Sequence, residues 1–358
     1  MHVGGLDGRR LLVHCSANQA LRCAPIARRP HAGLVISPHR HDERGLLATA
    51  AYLLRQRGFD APLLLDAARY AGANRLPASA PFNPRWLRRQ RELGLPVLTD
   101  SGYVGGGDEP GLVSILRRAM AIPGAIAVLP LHPAWLRDRL HLTALTNHVR
   151  DAGVPVALVL EARGDPFGLP GCVPGLLEVL GCGVPTVLLR SDLSSLGALC
   201  HGAAAAAVGT VGALRHLAPR EAEGGRPPPG PRPPSTIFRP TMSYRRISAI
   251  QRGRRARPDR RLWACDCPVC AGRDLDWMAG LGEREREVPA FEHAAAVLFG
   301  LRDELLGEDL PLHRAARSWA ARCVDAAYRE RELGWPVTPM LRRWQEASPA
   351  RTDLPLAS

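Results

Sequence analysis

Short apolar runs, several of them β-branched, recur along the first two thirds of the chain: 33–37 (GLVIS), 62–66 (PLLLD), 96–100 (PVLTD), 125–131 (AIAVLPL), 155–161 (PVALVLE), 184–190 (VPTVLLR) and 205–211 (AAAVGTV). Between them lie stretches such as 43–58, 84–94 and 142–153, with apolar residues on one helical face and a glycine near the end. Strands apolar on both faces, alternating with amphipathic helices, predict a parallel sheet covered on both sides. Their spacing of roughly thirty residues predicts a closed (β/α)₈ TIM-type barrel. An open doubly wound sheet is the competing arrangement, but no G-x-G-x-x-G follows the first run. Seven strands are plain. The short run 236–240 (TIFRP), interrupted by proline, is the expected eighth.

This pattern divides the chain into the main part of the barrel (1–223), a Pro/Gly-rich and then Arg-rich connection (224–261) that includes the last strand, and a C-terminal subdomain with helices (262–358). The segment 332–347 is Arg-rich and partly amphipathic, and reads as a cover for the barrel or an interface. No apolar run approaches the ~20 residues needed to span a bilayer, and the opening residues carry no secretory-signal pattern. The expectation is a cytoplasmic protein with no membrane contact.

Composition adds one exclusion and one partner. All 47 basic residues are arginine. Without lysine there is no Schiff base, no phosphate-loop lysine, no carbamylated lysine between two metals and no pyridoxal-phosphate anchor. A GC-rich coding bias accounts for arginine in place of lysine, but not for the net charge of +13. Residues 226–261 hold eleven arginines and one acid, Asp259, with Tyr244 and Trp263 among them. Arginine forks match phosphate oxygens, so this segment reads as a nucleic-acid contact, or else as a solvated basic loop.

In a barrel, reactive groups gather at the C-terminal ends of the strands. Asp66, Asp100, His132, Glu161 and Asp192 fall there, as do His39, His41 and Asp42. Such residues also serve as helix caps and loop anchors. The run 99–103 (TDSGY) with glycines at 105–107 places an acid before small residues, which lets a ligand approach the backbone.

Of nine cysteines, six are scattered and read as free buried thiols of a reducing compartment. The other three form Cys265-Asp-Cys267-Pro-Val-Cys270, and His293 follows after 22 intervening residues, at the head of the helix-like stretch 292–306. His313 is a more distant candidate. Three thiolates and one imidazole close a tetrahedral shell, so the expected ion is a structural Zn²⁺.

A barrel with T-D-S-G after a strand, and C-x-C-x-x-C followed by E-H near the C-terminus, resembles the tRNA-guanine transglycosylases. The CDCPVC form is most similar to the archaeosine branch, or to relatives that insert 7-deazaguanines into DNA. The resemblance implies exchange of guanine for a 7-deazaguanine base in tRNA or DNA. An aspartate attacks the ribose C1′, and the aspartate of D-S-G moves a proton. Carried onto this chain, it gives Asp100 the D-S-G role and Cys265, Cys267, Cys270 and His293 the zinc roles; Asp66, Ser101, Gly102, Tyr103 and His132, at or beside the strand ends, are the candidate substrate-binding residues. It also implies self-association, as a homo- or heterodimer.

The chain departs from the family pattern where the nucleophile is expected. Phe238-Arg239-Pro240 has arginine in place of aspartate, and no carboxylate occurs between Glu223 and Asp259. Either Asp192, Glu161 or Asp66 acts as nucleophile, or the chain is a non-catalytic nucleic-acid-binding partner subunit of the same fold. A third class, a metal-dependent hydrolase, would use His39 and His41 as a His-x-His pair.

Overall fold

A computed structural model describes residues 5–6, 8–39, 42–220, 234–283, 285–307 and 310–347. Eight parallel strands form the central sheet: β1 (Arg10–Ser16), β2 (Ala32–Ser37), β3 (Leu63–Leu65), β4 (Val97–Leu98), β5 (Ala125–Leu131), β6 (Val156–Leu160), β7 (Thr186–Ser191) and β8 (Ala205–Gly209). Their order, β3-β2-β1-β8-β7-β6-β5-β4, is chain order read around a ring. The barrel is nearly closed, and its seam falls between β3 and β4, the two shortest strands. Beyond the strand ends the seam is bridged where the Tyr103 N–H donates to the Leu76 carbonyl at 2.8 Å.

Alternation along each strand sorts side chains between two apolar clusters. Leu11, Val13, Leu34, Ile36, Leu129, Leu158 and Val208 face outward against the helices. Leu12, Val35, Leu64, Leu98, Val128, Val159 and Ala207 fill the lumen. Two residues further along the same parity come His14, Ser37, Asp66, Asp100, Glu161 and Gly209. The lumen thus passes from apolar to polar at the C-terminal ends of the strands because each strand keeps its register.

The seven strands read from the sequence are all present, but the eighth is not 236–240. That run belongs to β9 (Ser235–Phe238), which pairs antiparallel with β10 (Ser243–Arg246) outside the barrel. The missing strand is β1, at the start of the chain, where His14 breaks the apolar run RLLVHCS. Its imidazole is fully buried because Ser37 receives its N–H at 2.7 Å.

All eight strands are used by residue 209, so the flank between β8 and β1 is covered from further along the chain. The helix Glu287–Leu306 fills that place, packing on the helix Ser194–Cys200 and on β9. The helices Leu312–Glu332 and Pro339–Glu346 close the adjoining side, so the C-terminal segment covers the barrel. Trp319 and Trp344 meet edge to face at 5.8 Å, and the Trp344 indole N–H donates to Ser194 Oγ at 3.1 Å. Gly197 leaves them room: a Cβ there would lie 2.6 Å from both rings. The six scattered cysteines are free and buried. No helix among the described residues is long and apolar enough to cross a membrane.

Trp344 is 1% exposed and anchors the last helix to the barrel. Trp344→Ala is expected to cost about 3–5 kcal/mol in denaturant unfolding. A loss below ~1 kcal/mol would mean the last helix contributes little to the fold.

Candidate functional site

Two sites emerge: a polar cluster over the barrel lumen and a cysteine-histidine cluster beside β9. In the first, Asp66 is the centre. Its Oδ2 accepts hydrogen bonds from Ser37 Oγ (2.9 Å), the Tyr70 hydroxyl (2.8 Å) and the Arg190 guanidinium (3.3 Å), and its Oδ1 accepts from the Ala68 N–H (2.9 Å). Ser37 gives its one proton to Asp66, so it accepts from His14 Nε2. Burial alone would raise the Asp66 carboxyl; the Arg190 charge and the bonds from His14 and Tyr70 outweigh it and hold the group well below the usual range. Arg190 reaches the lumen because β7 carries an irregularity between Leu188 and Ser191, with Arg190 itself at φ +47°.

The other two lumen acids are matched in the same way. Asp100 pairs with Arg69 and accepts from the Asn83 N–H through both oxygens, at 3.1 and 2.9 Å. Glu161 pairs with Arg75 and accepts from the Tyr103 hydroxyl at 2.6 Å, while the Arg75 guanidinium stacks 3.7 Å from the Tyr103 ring. Burial, and then the Glu161 charge, raise the Tyr103 hydroxyl. The segment after β8 lies across the mouth, Leu217 exchanging backbone bonds with Leu160 (3.1 Å) and Ala162 (2.8 Å). Of the remaining T-D-S-G residues, Ser101 Oγ is 2.8 Å from Thr99 Oγ1. Gly102 packs so closely that a Cβ would lie 2.0 Å from the Pro77 carbonyl oxygen. That contact supplies a structural reason for the glycine.

The structure therefore brings Asp66, Asp100, Glu161 and Tyr103 to one end of the lumen. His132 stands at the same end, beside Gly106, where it accepts from the Ala134 N–H at 3.2 Å. Asp192, whose Oδ1 accepts from the Leu193 N–H at 2.8 Å, neighbours a second acid, Asp165, that sequence reasoning passed over. Asp165 accepts from Ser194 Oγ at 3.2 Å and the Phe167 N–H at 2.9 Å. Burial, and then the Asp192 charge, push Asp165 up to about 7. Burial also raises Asp192, against the Arg215 charge. The signal for Asp165 was its place five residues beyond the end of β6. His14, Arg69, Arg75 and Arg190 were also missed. His39 is exposed, and His41 lies outside the described residues, so their expected metal pair is not assembled among the described residues.

The second site is local in origin. β11 (Ala264–Cys265) and β12 (Arg273–Asp274) form a short antiparallel ribbon whose turn carries Cys267 and Cys270, with Ala271 and Gly272 at positive φ. His293 projects into this turn from the helix Glu287–Leu306. Its Nδ1 lies 3.8, 3.3 and 3.3 Å from the sulfurs of Cys265, Cys267 and Cys270. All four candidate ligand atoms lie within 4.8 Å of one another. A tetrahedral ion with metal–sulfur bonds of about 2.3 Å and metal–nitrogen of about 2.0 Å separates its ligands by roughly 3.5–3.8 Å. The donor set fits such an ion. His293 Nε2 donates to the Ile237 carbonyl at 2.8 Å, which fixes the tautomer and leaves Nδ1 as ligand. The Trp277 indole N–H donates to Cys270 Sγ at 3.4 Å.

Two outcomes follow. Cys267→Ser should lower bound metal per chain, measured by elemental analysis, and lower the unfolding temperature; full metal at unchanged stability would remove the site. Asp165 is raised above its unfolded value, so the folded state holds its proton more tightly. Its contribution to stability is present below about pH 4 and is lost as pH rises through about 7. The difference between wild-type and Asp165→Asn stability should follow that window, and a pH-independent difference would contradict it.

A comparison with known proteins finds no protein-family model that matches this chain and no curated protein that matches it.

Proposed function

We propose that this chain is a nucleic-acid-binding barrel of the tRNA-guanine transglycosylase kind, acting as the non-catalytic member of a pair of such subunits. The observation that carries this reading is the pairing of the lumen acids with arginines: Asp66 with Arg190, Asp100 with Arg69 and Glu161 with Arg75. A carboxylate so held is a poor nucleophile toward ribose C1′, because attack must first break an ion pair in a desolvated site. At the position where the resemblance expects a nucleophile stands Arg239, whose side chain pairs with Glu304 at the surface. The polar lumen end still offers donors and acceptors for the edge of guanine or a 7-deazaguanine. The cysteine-histidine cluster takes zinc, whose affinity for thiolate and imidazole suits the set, and whose closed shell makes it structural.

The strand-binding surface is the helix Ile247–Ala256 with its flanks. Arg252, Arg255, Arg257 and Arg261 are exposed there and make no ion pair among the described residues. A small recess beside this helix is lined by Arg245, Arg252 and Trp335, joining cations to an aromatic face as single-strand and loop binding requires. Both tRNA and DNA offer the phosphate chemistry that these residues match.

One observation favours a second reading, an active exchange enzyme. Asp165 and Asp192 are desolvated neighbours with raised protonation, an arrangement that suits an acid and a base. Ionised Asp192 would form a bond to C1′ as the glycosidic C–N bond breaks, and protonated Asp165 would give its proton to the departing base.

Binding is tested by titrating labelled tRNA and duplex DNA across a range of salt. The double variant Arg252→Ala, Arg255→Ala should weaken binding and reduce the log–log salt slope by about two. Unchanged affinity and slope would contradict the assigned surface.

A further inference from the structure

A deep cleft lies away from the lumen mouth. It measures about 1030 Å³ and lies along the flank of the barrel, between β1, β8, the β9–β10 hairpin and the helix Glu287–Leu306. Its floor is apolar, made by Leu11 and Val13 of β1 against Ala294 and Leu298 of the helix. Its rim is basic. Arg22, Arg215 and Arg246 line it without an ion pair among the described residues, although Arg215 gives its Nε–H to the Gly209 carbonyl at 3.1 Å and its charge also reaches Asp192; the one acid among the lining residues is Glu287. Two of these arginines lie over aromatic rings: Arg22 is 5.1 Å from the Phe291 centroid and Arg215 is 3.4 Å from that of Tyr244. Gln19, also on the rim, uses its Oε1 to accept from Thr210 Oγ1 (2.9 Å) and Ser16 Oγ (3.2 Å), so its amide N–H donors are uncommitted.

Three guanidinium groups suit a phosphate, two aromatic faces suit a planar ring, and an amide donor suits a ring edge or a ribose hydroxyl. The apolar floor favours a ligand with a desolvated flat body over a free inorganic anion. We propose that this flank cleft is a binding site for a purine mononucleotide, with its phosphate among Arg22, Arg215 and Arg246 and its base against Phe291 or Tyr244. The site is separate from the lumen mouth and does not depend on whether the chain binds a polymer. It shares the helix Glu287–Leu306 with His293, so a bound nucleotide and the metal cluster steady the same element.

The experiment is equilibrium dialysis of the full chain against labelled guanosine 5′-monophosphate, with circular dichroism to establish that each variant is folded. Wild type should bind one nucleotide per chain. Phe291→Leu and Arg22→Gln should each weaken binding about tenfold, while Arg88→Ala, an exposed residue outside both the cleft and the arginine helix, leaves it unchanged. Arg22 is exposed, so its variant keeps the test decisive if Phe291→Leu misfolds. The proposal is overturned by the absence of saturable binding to folded wild type. Competition by inorganic phosphate as strong as by the nucleotide, or an equal loss in Arg88→Ala, would overturn it as well. Polymer binding by the arginine helix would survive any of these results, so the two readings fail separately.

Discussion

One imidazole ties three parts of this molecule together. His293 stands on the helix that covers the β8–β1 flank, turns Nδ1 toward three cysteines of the C-terminal ribbon and holds the Ile237 carbonyl through Nε2. The barrel exhausts its strands at β8, and among the described residues the helix Glu287–Leu306 covers that flank. The cover comes from almost eighty residues further on, and a contact that spans so long a loop needs a strong local tie to offset the closure entropy. A metal ion held by the three cysteines and His293 would supply such a tie, because forming its bonds is folding free energy. The ribbon, the hairpin and the cover helix then stand or fall as a unit.

The same economy of position governs the lumen. Register alone places polar residues above the apolar layer, since each strand continues its inward parity past its last hydrogen bond. What those groups can do is decided by the loops. Arg69, Arg75 and Asn83 come from the long connection between β3 and β4, and Arg190 comes from an irregular turn of β7. Carboxylates that a barrel enzyme would leave poised are instead clamped. The arrangement stabilises a charged, desolvated mouth and lowers the reactivity of each acid in it.

Much of this was legible from pattern, and the rest for identifiable reasons was not. The strands from β2 to β8 announce themselves because burial on both faces demands unbroken apolar runs. β1 hides because His14 looks polar, and its burial depends on Ser37, a partner on another strand. The cysteine cluster is readable because its three thiolates lie within six residues and its imidazole lies in a helix-like stretch soon after them. The arginine clamps are not, because Arg69 and Arg75 sit in a loop whose path is fixed by distant contacts. Arg190 needs a positive φ that no periodicity encodes. Asp165 was obscured by its loop, although burial, and then the Asp192 charge, push its carboxyl up to about 7.

A mouth of clamped acids would hold a purine without bonding to its sugar. The measurement that bears on this most directly is base exchange: labelled guanine or a 7-deazaguanine with the metal-loaded protein, tRNA and duplex DNA, resolved on denaturing gels. Clamped acids predict no label in either polymer and no covalent adduct, with nucleic acid still bound under native conditions. Label in the polymer, or an adduct that survives denaturation and is lost in Asp192→Asn, would contradict the non-catalytic reading and place the nucleophile in the Asp165–Asp192 pair.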